Sequence, residues 1–339
     1  MGNHSEVYHT KLSSFIMGDN MEVYLIGNQQ IKSVIGMERG INLMEKAFIH
    51  LSEKKCHVPL RSVVENPDKT ITLFFKPAFD ETIGKFGVKF LTQNEDNYSR
   101  GMPTITGIIM LMDSESGRIL SVMDGTYITG LRTGAAGGLA ARILSRENSE
   151  SFALFGCGAQ GRTQLEATLL VRDIKNVYLF DRYKGAIDNL IEDMQAQTDA
   201  NLNPASDLSV LKEVDIIVTA TGSAEPLFSL KHLKPGVHIN AIGAYKPHMQ
   251  ELDIDIIKNS SLFVDDKEAC IAEAGDIVIP LNKGIITPDH IRAELGDVIT
   301  GKYCGRSNED EVTVFKSVGL AIQDLLVANE VYENINSIT

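Results

Sequence analysis

No stretch of this 339-residue chain approaches the run of about 18 apolar residues that a membrane-spanning helix needs. The opening, MGNHSEVYHT, lacks the apolar core of a secretory leader, and Glu6 stands where a myristoylation signal requires Ser or Thr. Cysteine is scarce and scattered. Cys56, Cys157, Cys270 and Cys304 form no C-x-x-C pair, so they read as buried or free thiols with no metal or redox pairing. Positive charge is also short: 32 Lys and Arg face 45 Asp and Glu, a formal net charge of -13. That balance argues against a nucleic-acid partner, because phosphate backbones are gripped by clustered cations. An anionic small molecule would need cations placed locally. There is no internal repeat and no Pro/Ser-rich linker. The expectation is a cytoplasmic globular protein with no membrane partner.

What is present is a globular composition, 43% hydrophobic and 23% charged, in a chain too long for one ordinary core. Two domains and the cleft between them follow. MERGINLMEKAFIHLSEKK sets Ile41, Met44, Phe48 and Leu51 on one helical face, and VPLRSVVEN, TITLFFKP and GKFGVKFLT read as strands. From about residue 150 strand and helix alternate: SFALFG, RTQLEATLLVRD, NVYLFD and KGAIDNLIEDMQAQ, followed by the apolar runs VDIIVTATG, VHINAIG and SLFVDD. Such alternation predicts a parallel sheet with covering helices. In DEVTVFKSVGLAIQDLLVANEVYENI, Val314, Val318, Ile322, Leu325 and Leu326 form a helical pattern that returns to the first domain. The predicted class is α/β: a Rossmann doubly wound parallel sheet over residues 131–302, inserted in an α+β domain made of residues 1–130 and 303–339. The crossings near 130 and 300 are expected to be helical or short.

LFGCGAQGRTQ holds Gly156, Gly158 and Gly161 at the G-x-G-x-x-G spacing, between an apolar strand and a helix. Such glycines allow a tight turn and close backbone approach, with Ala159 and Gln160 between them as further cofactor contacts, and the following helix offers unpaired N–H groups to a pyrophosphate. A turn without a ligand is the plainer reading. Asp181 ends the next strand, 20 residues after Gly161, where a carboxylate accepts hydrogen bonds from the adenosine ribose hydroxyls. Its plainer role is a helix N-cap. NAD(H) is therefore favoured, while Arg182 and Lys184 leave NADP(H) open. Thr219, Ala220, Thr221 and Gly243 end two sheet strands, where a doubly wound fold places its ligand.

MDGTYITGLRTGAAGGLAAR, AIGAYKPHMQELD and AELGDVITGKYCGRSNEDEVTVFKSVGLAIQDL, with GVKFLT and the glycine loop, resemble the ornithine cyclodeaminase and mu-crystallin family from about residue 58 to 333. The resemblance implies an NAD(P)-dependent enzyme acting on an amino acid or its imine, usually a homodimer, whose nucleotide domain is inserted in a substrate-binding and dimerisation domain. It also implies roles. Arg132 would grip the substrate carboxylate, with Arg61 as its partner. Lys89 would bind carboxylate or transfer a proton, and Lys76 is a weaker candidate nearby. Thr133 and Gly134 would face the cofactor phosphates, and Gly319 would approach the nicotinamide, although a glycine there serves tight helix packing equally well.

One position departs from the family's pattern. Cyclodeaminases proper carry an aspartate where this chain has Tyr245, and tyrosine supplies neither a counter-ion for a distal ammonium nor a base near neutral pH. Reduction of a cyclic imine carboxylate is favoured. Amino-acid dehydrogenation of the alanine dehydrogenase type, ornithine cyclodeamination, and a non-catalytic nucleotide-dependent binding protein are the alternatives.

Overall fold

The computed structural model describes residues 13–17 and 21–338, so the leader and myristoylation readings fall outside the described residues. The first sheet contains β1 (Ser13–Met17), β2 (Met21–Ile26), β3 (Cys56–His57), β4 (Ser62–Glu65), β5 (Thr72–Asp80), β6 (Lys85–Gln93), β7 (Ile105–Asp113) and β8 (Ile119–Asp124). Its order is β1-β2-β8-β7-β6-β5-β3, with β4 pairing β5. Among the described residues only β2 and β8 of this sheet run parallel. Along β5 every second residue is buried, the period-two signature of a sheet with one covered face. Helices α1 (Asn28–Val34) and α2 (Met37–Ser52) join this domain's core, and α2 buries Ile41, Met44 and Phe48, with Leu51 half-buried at its edge.

The long helix α3 (Gly125–Leu144) carries the chain into the second sheet, so the sequence boundary near 130 falls inside a helix. Asp124 caps it by accepting hydrogen bonds from Thr126 N and Tyr127 N at 2.8 and 3.1 Å. Its run of small residues lets α4 (Ala159–Val171) approach closely: a Cβ on Gly134 would stand 2.5 Å from the Thr163 carbonyl oxygen. The helix is therefore buried on nearly every side, and Arg132 is buried with it.

The second sheet is wholly parallel among the described residues. It contains β9 (Ser151–Phe155), β10 (Asn176–Phe180), β11 (Asn201–Pro204), β12 (Ile216–Thr219), β13 (His238–Ala241), β14 (Ser261–Val264), β15 (Ile291–Glu294) and β16 (Thr313–Lys316). Its order, β11-β10-β9-β12-β13-β16-β14-β15, reverses between β9 and β12. Such a switch point opens a crevice at the strands' carboxyl ends. The remaining helices are α5 (Lys184–Met194), α6 (Ile254–Lys258), α7 (Lys267–Glu273), α8 (Gly275–Asn282), α9 (Leu295–Ile299) and α10 (Ala321–Ile338).

Two expectations are corrected. Residues 313–316 form a strand inside the nucleotide-type sheet, so that sheet extends past residue 302 and the chain returns to the first domain only after Lys316. The helical pattern assigned from Val314 onward begins at Ala321, because Val314 is completely buried between two parallel neighbours and its apolar run serves a strand equally well. No helix among the described residues is long and apolar enough to cross a membrane. The four cysteines are free, with Cys157 and Cys270 buried and Cys304 exposed.

Candidate active site

Three elements converge on one carboxylate. Asp324, in the first turn of α10, lies 2.6 Å from Lys89 Nζ of β6 and 3.1 Å from Arg132 Nε of α3. Arg132 also donates to Gln323 Oε1 at 3.2 Å, and Lys89 donates to Thr129 Oγ1 at 3.3 Å. The Lys89 and Asp324 side chains are 1% and 2% exposed. Burial pushes the Lys89 ammonium down to about 8, Asp324 opposing the shift and Arg132 adding to it. Burial pushes the Asp324 carboxyl up, but Lys89, Arg132 and Lys76 outweigh it and hold the group below its ordinary value. Lys76 lies directly opposite Lys89 across the β5–β6 pair and donates to the Gly319 carbonyl at 3.1 Å. Like charges opposed on one sheet face are unfavourable unless something compensates them. Burial, with Arg61, Lys89 and Arg132 nearby, holds the Lys76 ammonium well below its usual range.

Arg61 completes the cationic wall. Its Nη2 donates to the Tyr245 carbonyl at 2.6 Å and pairs with Glu273 at 2.8 Å, and its guanidinium lies 5.0 Å from the Phe74 ring centre. The Tyr245 hydroxyl donates to Gln93 Oε1 at 2.5 Å, and its ring meets Phe74 edge-on at 6.4 Å. These groups line a cavity of about 240 Å³ between the two sheets, which Leu91, Ile105, Ile242 and Met249 make partly apolar. Thus Arg61, Lys76, Lys89, Arg132 and Tyr245 come together.

The opposite side of that cavity comes from α3, the first turn of α4 and the loops that follow the parallel strands: Thr133, Gln160, Ala220, Thr221, Gly243 and Gly319 all line it. Gly319 precedes α10 instead of lying within it, and at φ +75° with a Cβ position overlapping the Arg132 guanidinium it admits no side chain. Gly156, Gly158, Ala159 and Gly161 form the turn into α4, outside the cavity lining. Gly156 has φ +96°, and Gly158 caps α4 with open space where a Cβ would stand. The first turn of α4 carries no acidic residue and no side-chain cap. An anionic pyrophosphate fits these features. Asp181 accepts from Cys157 N at 2.8 Å and from Tyr183 N at 2.9 Å, which ties this carboxylate to the glycine turn, while Arg182 is exposed beside it.

Thr219 does not reach the cavity. Its hydroxyl donates to Glu251 Oε2 at 2.9 Å, a carboxylate that also accepts from Thr221 N, Thr221 Oγ1, Gly243 N and Ala244 N at 2.6–3.1 Å. Asp265 similarly accepts from Ser317 Oγ, Val318 N and Gly319 N at 2.7–2.9 Å. Sequence reasoning did not single out Glu251, Asp265 or Asp324. The available signal was an acid embedded in an apolar run, as in AIQDLLVA and LFVDD.

Replacing Asp324 by Asn strands two buried cations beside a neutral amide, and removing one partner of a buried ion pair costs about 3–5 kcal/mol. Urea unfolding of the Asp324→Asn protein measures this. A loss under about 1 kcal/mol, the scale of an exposed pair, would show that the carboxylate does not hold the cluster.

The sequence profile of the ornithine cyclodeaminase/mu-crystallin family matches residues 22–339. A Delta(1)-pyrroline-2-carboxylate reductase from Bacillus cereus is 36% identical over 316 residues, covering 91% of this chain and 95% of that protein. The structure of the Thermococcus litoralis Delta(1)-pyrroline-2-carboxylate reductase in complex with NADH and L-proline superimposes with a TM-score of 0.90 at 34% identity, covering 93% of this chain and 98% of that one. An archaeal alanine dehydrogenase dimer with bound NAD gives a TM-score of 0.88 at 36% identity, covering 94% and 97% of the two chains. The chain belongs to the ornithine cyclodeaminase/mu-crystallin family.

Proposed function

We propose that this protein is an NADH-dependent reductase of cyclic imine carboxylates of the pyrroline-2-carboxylate type. The observation that carries the reading is the meeting, in one cavity, of a buried cationic wall with the ligand-facing ends of a nucleotide-type sheet. Two similar proteins bear the same reductase name, and one of them holds NADH and L-proline. The residues of the glycine turn suit a dinucleotide, which when bound supplies the hydride. Arg132 and Lys76 orient the carboxylate. Arg61 adds charge from the far side. Lys89 sits where an ammonium can donate a proton to the imine nitrogen as the C=N bond becomes C–N, after which its neutral amine recovers a proton from solvent. Only the protonated lysine donates, so with its value near 8 the reduction has high kcat/KM below that pH and loses it above.

The test is NADH oxidation with Δ1-pyrroline-2-carboxylate across pH 6–10. Lys89→Met should lower kcat/KM on the order of 10²–10⁴-fold and remove the alkaline limb, while NADH binding persists. Unchanged turnover in that variant would remove Lys89 from the mechanism. If alanine with NAD were the faster pair in the unaltered enzyme, the amino-acid dehydrogenase reading, favoured by the archaeal structure, would replace this one.

Coenzyme choice turns on Asp181. A carboxylate fixed at the end of β10 hydrogen-bonds ribose hydroxyls and repels a 2′-phosphate. NADH should therefore exceed NADPH in kcat/KM. Asp181→Ser should narrow the ratio, and an NADPH preference in the unaltered protein would refute the assignment.

The outer face of the first sheet supports a homodimer. Phe75, Phe79, Phe86, Phe90, Ile108 and Met110 point away from the core, with Phe86 and Ile108 more than 40% exposed. An apolar sheet face of this extent is uncommon on a monomer, and a second copy offers the same surface. Phe86→Asp should shift sedimentation from dimer to monomer. A monomeric parent protein would rule out the pairing.

A further inference from the structure

Behind the cationic wall lies a second cavity, of about 620 Å³, which shares Arg61, Lys76 and Gly319 with the first. Its other side carries Asp266, Glu268 and Glu273. Glu273 is engaged by Arg61, and Asp266 uses one oxygen to accept from Ala269 N at 2.7 Å. The acids crowd one another: burial, then Asp265 and Glu268, push the Asp266 carboxyl up from its ordinary range. On the cationic side, Arg61 is more than nine-tenths buried, and its Nε has no hydrogen-bond partner. Lys76 bonds only the Gly319 carbonyl, with no carboxylate within 4 Å among the described residues. The cavity thus sets the unpartnered Arg61 Nε and a lysine with no carboxylate partner against crowded acids.

We propose that this second cavity binds an α-amino acid as its zwitterion, the carboxylate toward Arg61 and Lys76 and the ammonium toward Asp266 and Glu268. A free amino acid carries both charges on adjacent atoms, which matches opposed walls where a simple anion or cation would match only one. Because Arg61 and Lys76 face both cavities, an amino acid held here weakens, without excluding, the binding of a carboxylate in the first. The site therefore lets an amino acid restrain the reaction that forms it. Only the choice of probe rests on the reductase reading.

The experiment is equilibrium dialysis of labelled L-proline, and separately of L-alanine, against NADH-saturated protein. These pairs do not turn over. Glu268→Lys and Ala269→Leu alter the second cavity without touching the first, and each should lose one bound amino acid per chain relative to the unaltered protein while binding NADH as before. Loss of that equivalent in either folded variant supports the site. Retention of every equivalent in both variants, or no saturable amino acid on the unaltered protein, overturns it. Should the unaltered enzyme reduce no cyclic imine, the reductase reading falls, yet the difference in stoichiometry still reports the second cavity.

Discussion

Lys89 is buried against a carboxylate, and the cleft is arranged around that ion pair. An ion taken from water into protein loses several kcal/mol of hydration, more than one exposed partner returns. Asp324 answers this by touching Lys89 and Arg132 at once, at 2.6 and 3.1 Å. Its position on α10 requires the chain's last helix to cross back to the first sheet, and that of Arg132 requires α3 to be buried along its length. The small residues of α3 serve the same end, since bulkier ones would hold α4 away and let water reach the guanidinium. Arg61, Lys89 and Arg132 face one cavity with Lys76 beside them, and the carboxylates paired with these groups are Asp324 and Glu273, so the cluster stays short of negative charge. A substrate carboxylate reduces that shortfall.

The opposite wall is built differently. Loops leaving parallel strands present backbone N–H groups with no sheet partner, and a buried group of that kind needs an acceptor. Glu251 gathers donors of Thr219, Thr221, Gly243 and Ala244, and Asp265 gathers those of residues 317–319. Asp276 in turn accepts from the Glu251 and Leu252 backbone and pairs with Lys316 at 3.2 Å, both partners fully buried. One wall is thus shaped by charged side chains and the other by backbone held on carboxylates. The second suits a flat, polar cofactor ring, because backbone fixed by several bonds keeps its shape as the ligand comes and goes.

How much of this was legible depends on whether the physics was local. The glycine turn, the amphipathic α2 and the alternating strands are short-range patterns, and they lie where periodicity places them. Arg61, Lys89 and Arg132 stood out through the motifs around them, and the structure gathers them on one cavity. The partners of those residues did not stand out. Asp324 is 192 residues from Arg132, and nothing in AIQDLL announces which cations it meets. Strand β16 failed for another reason: four apolar-rich residues buried on both faces carry no period, and the run merged with the helix after it. Thr219 failed through direction, since the end of a strand was correctly placed but its side chain turns inward to Glu251.

The same charge distribution bears on which substrate tails the cavity accepts. Tyr245 is half-buried, its hydroxyl spent on Gln93 and its ring packed against Phe74, with the Arg61 guanidinium 5.8 Å from its centre. A tail reaching this side meets aromatic and aliphatic surface backed by a cation. The two carboxylates paired with the cationic wall are committed, Asp324 to Lys89 and Arg132, Glu273 to Arg61. An ornithine-like ammonium would enter without a counter-ion, at a desolvation cost of several kcal/mol, and beside like charges. A closed pyrroline ring brings no second ammonium and offers apolar methylenes to Phe74, Leu91 and Met249. Under the proposed reading, Tyr245 and Arg61 make the tail side of the cavity a place for hydrocarbon and not for a second positive charge.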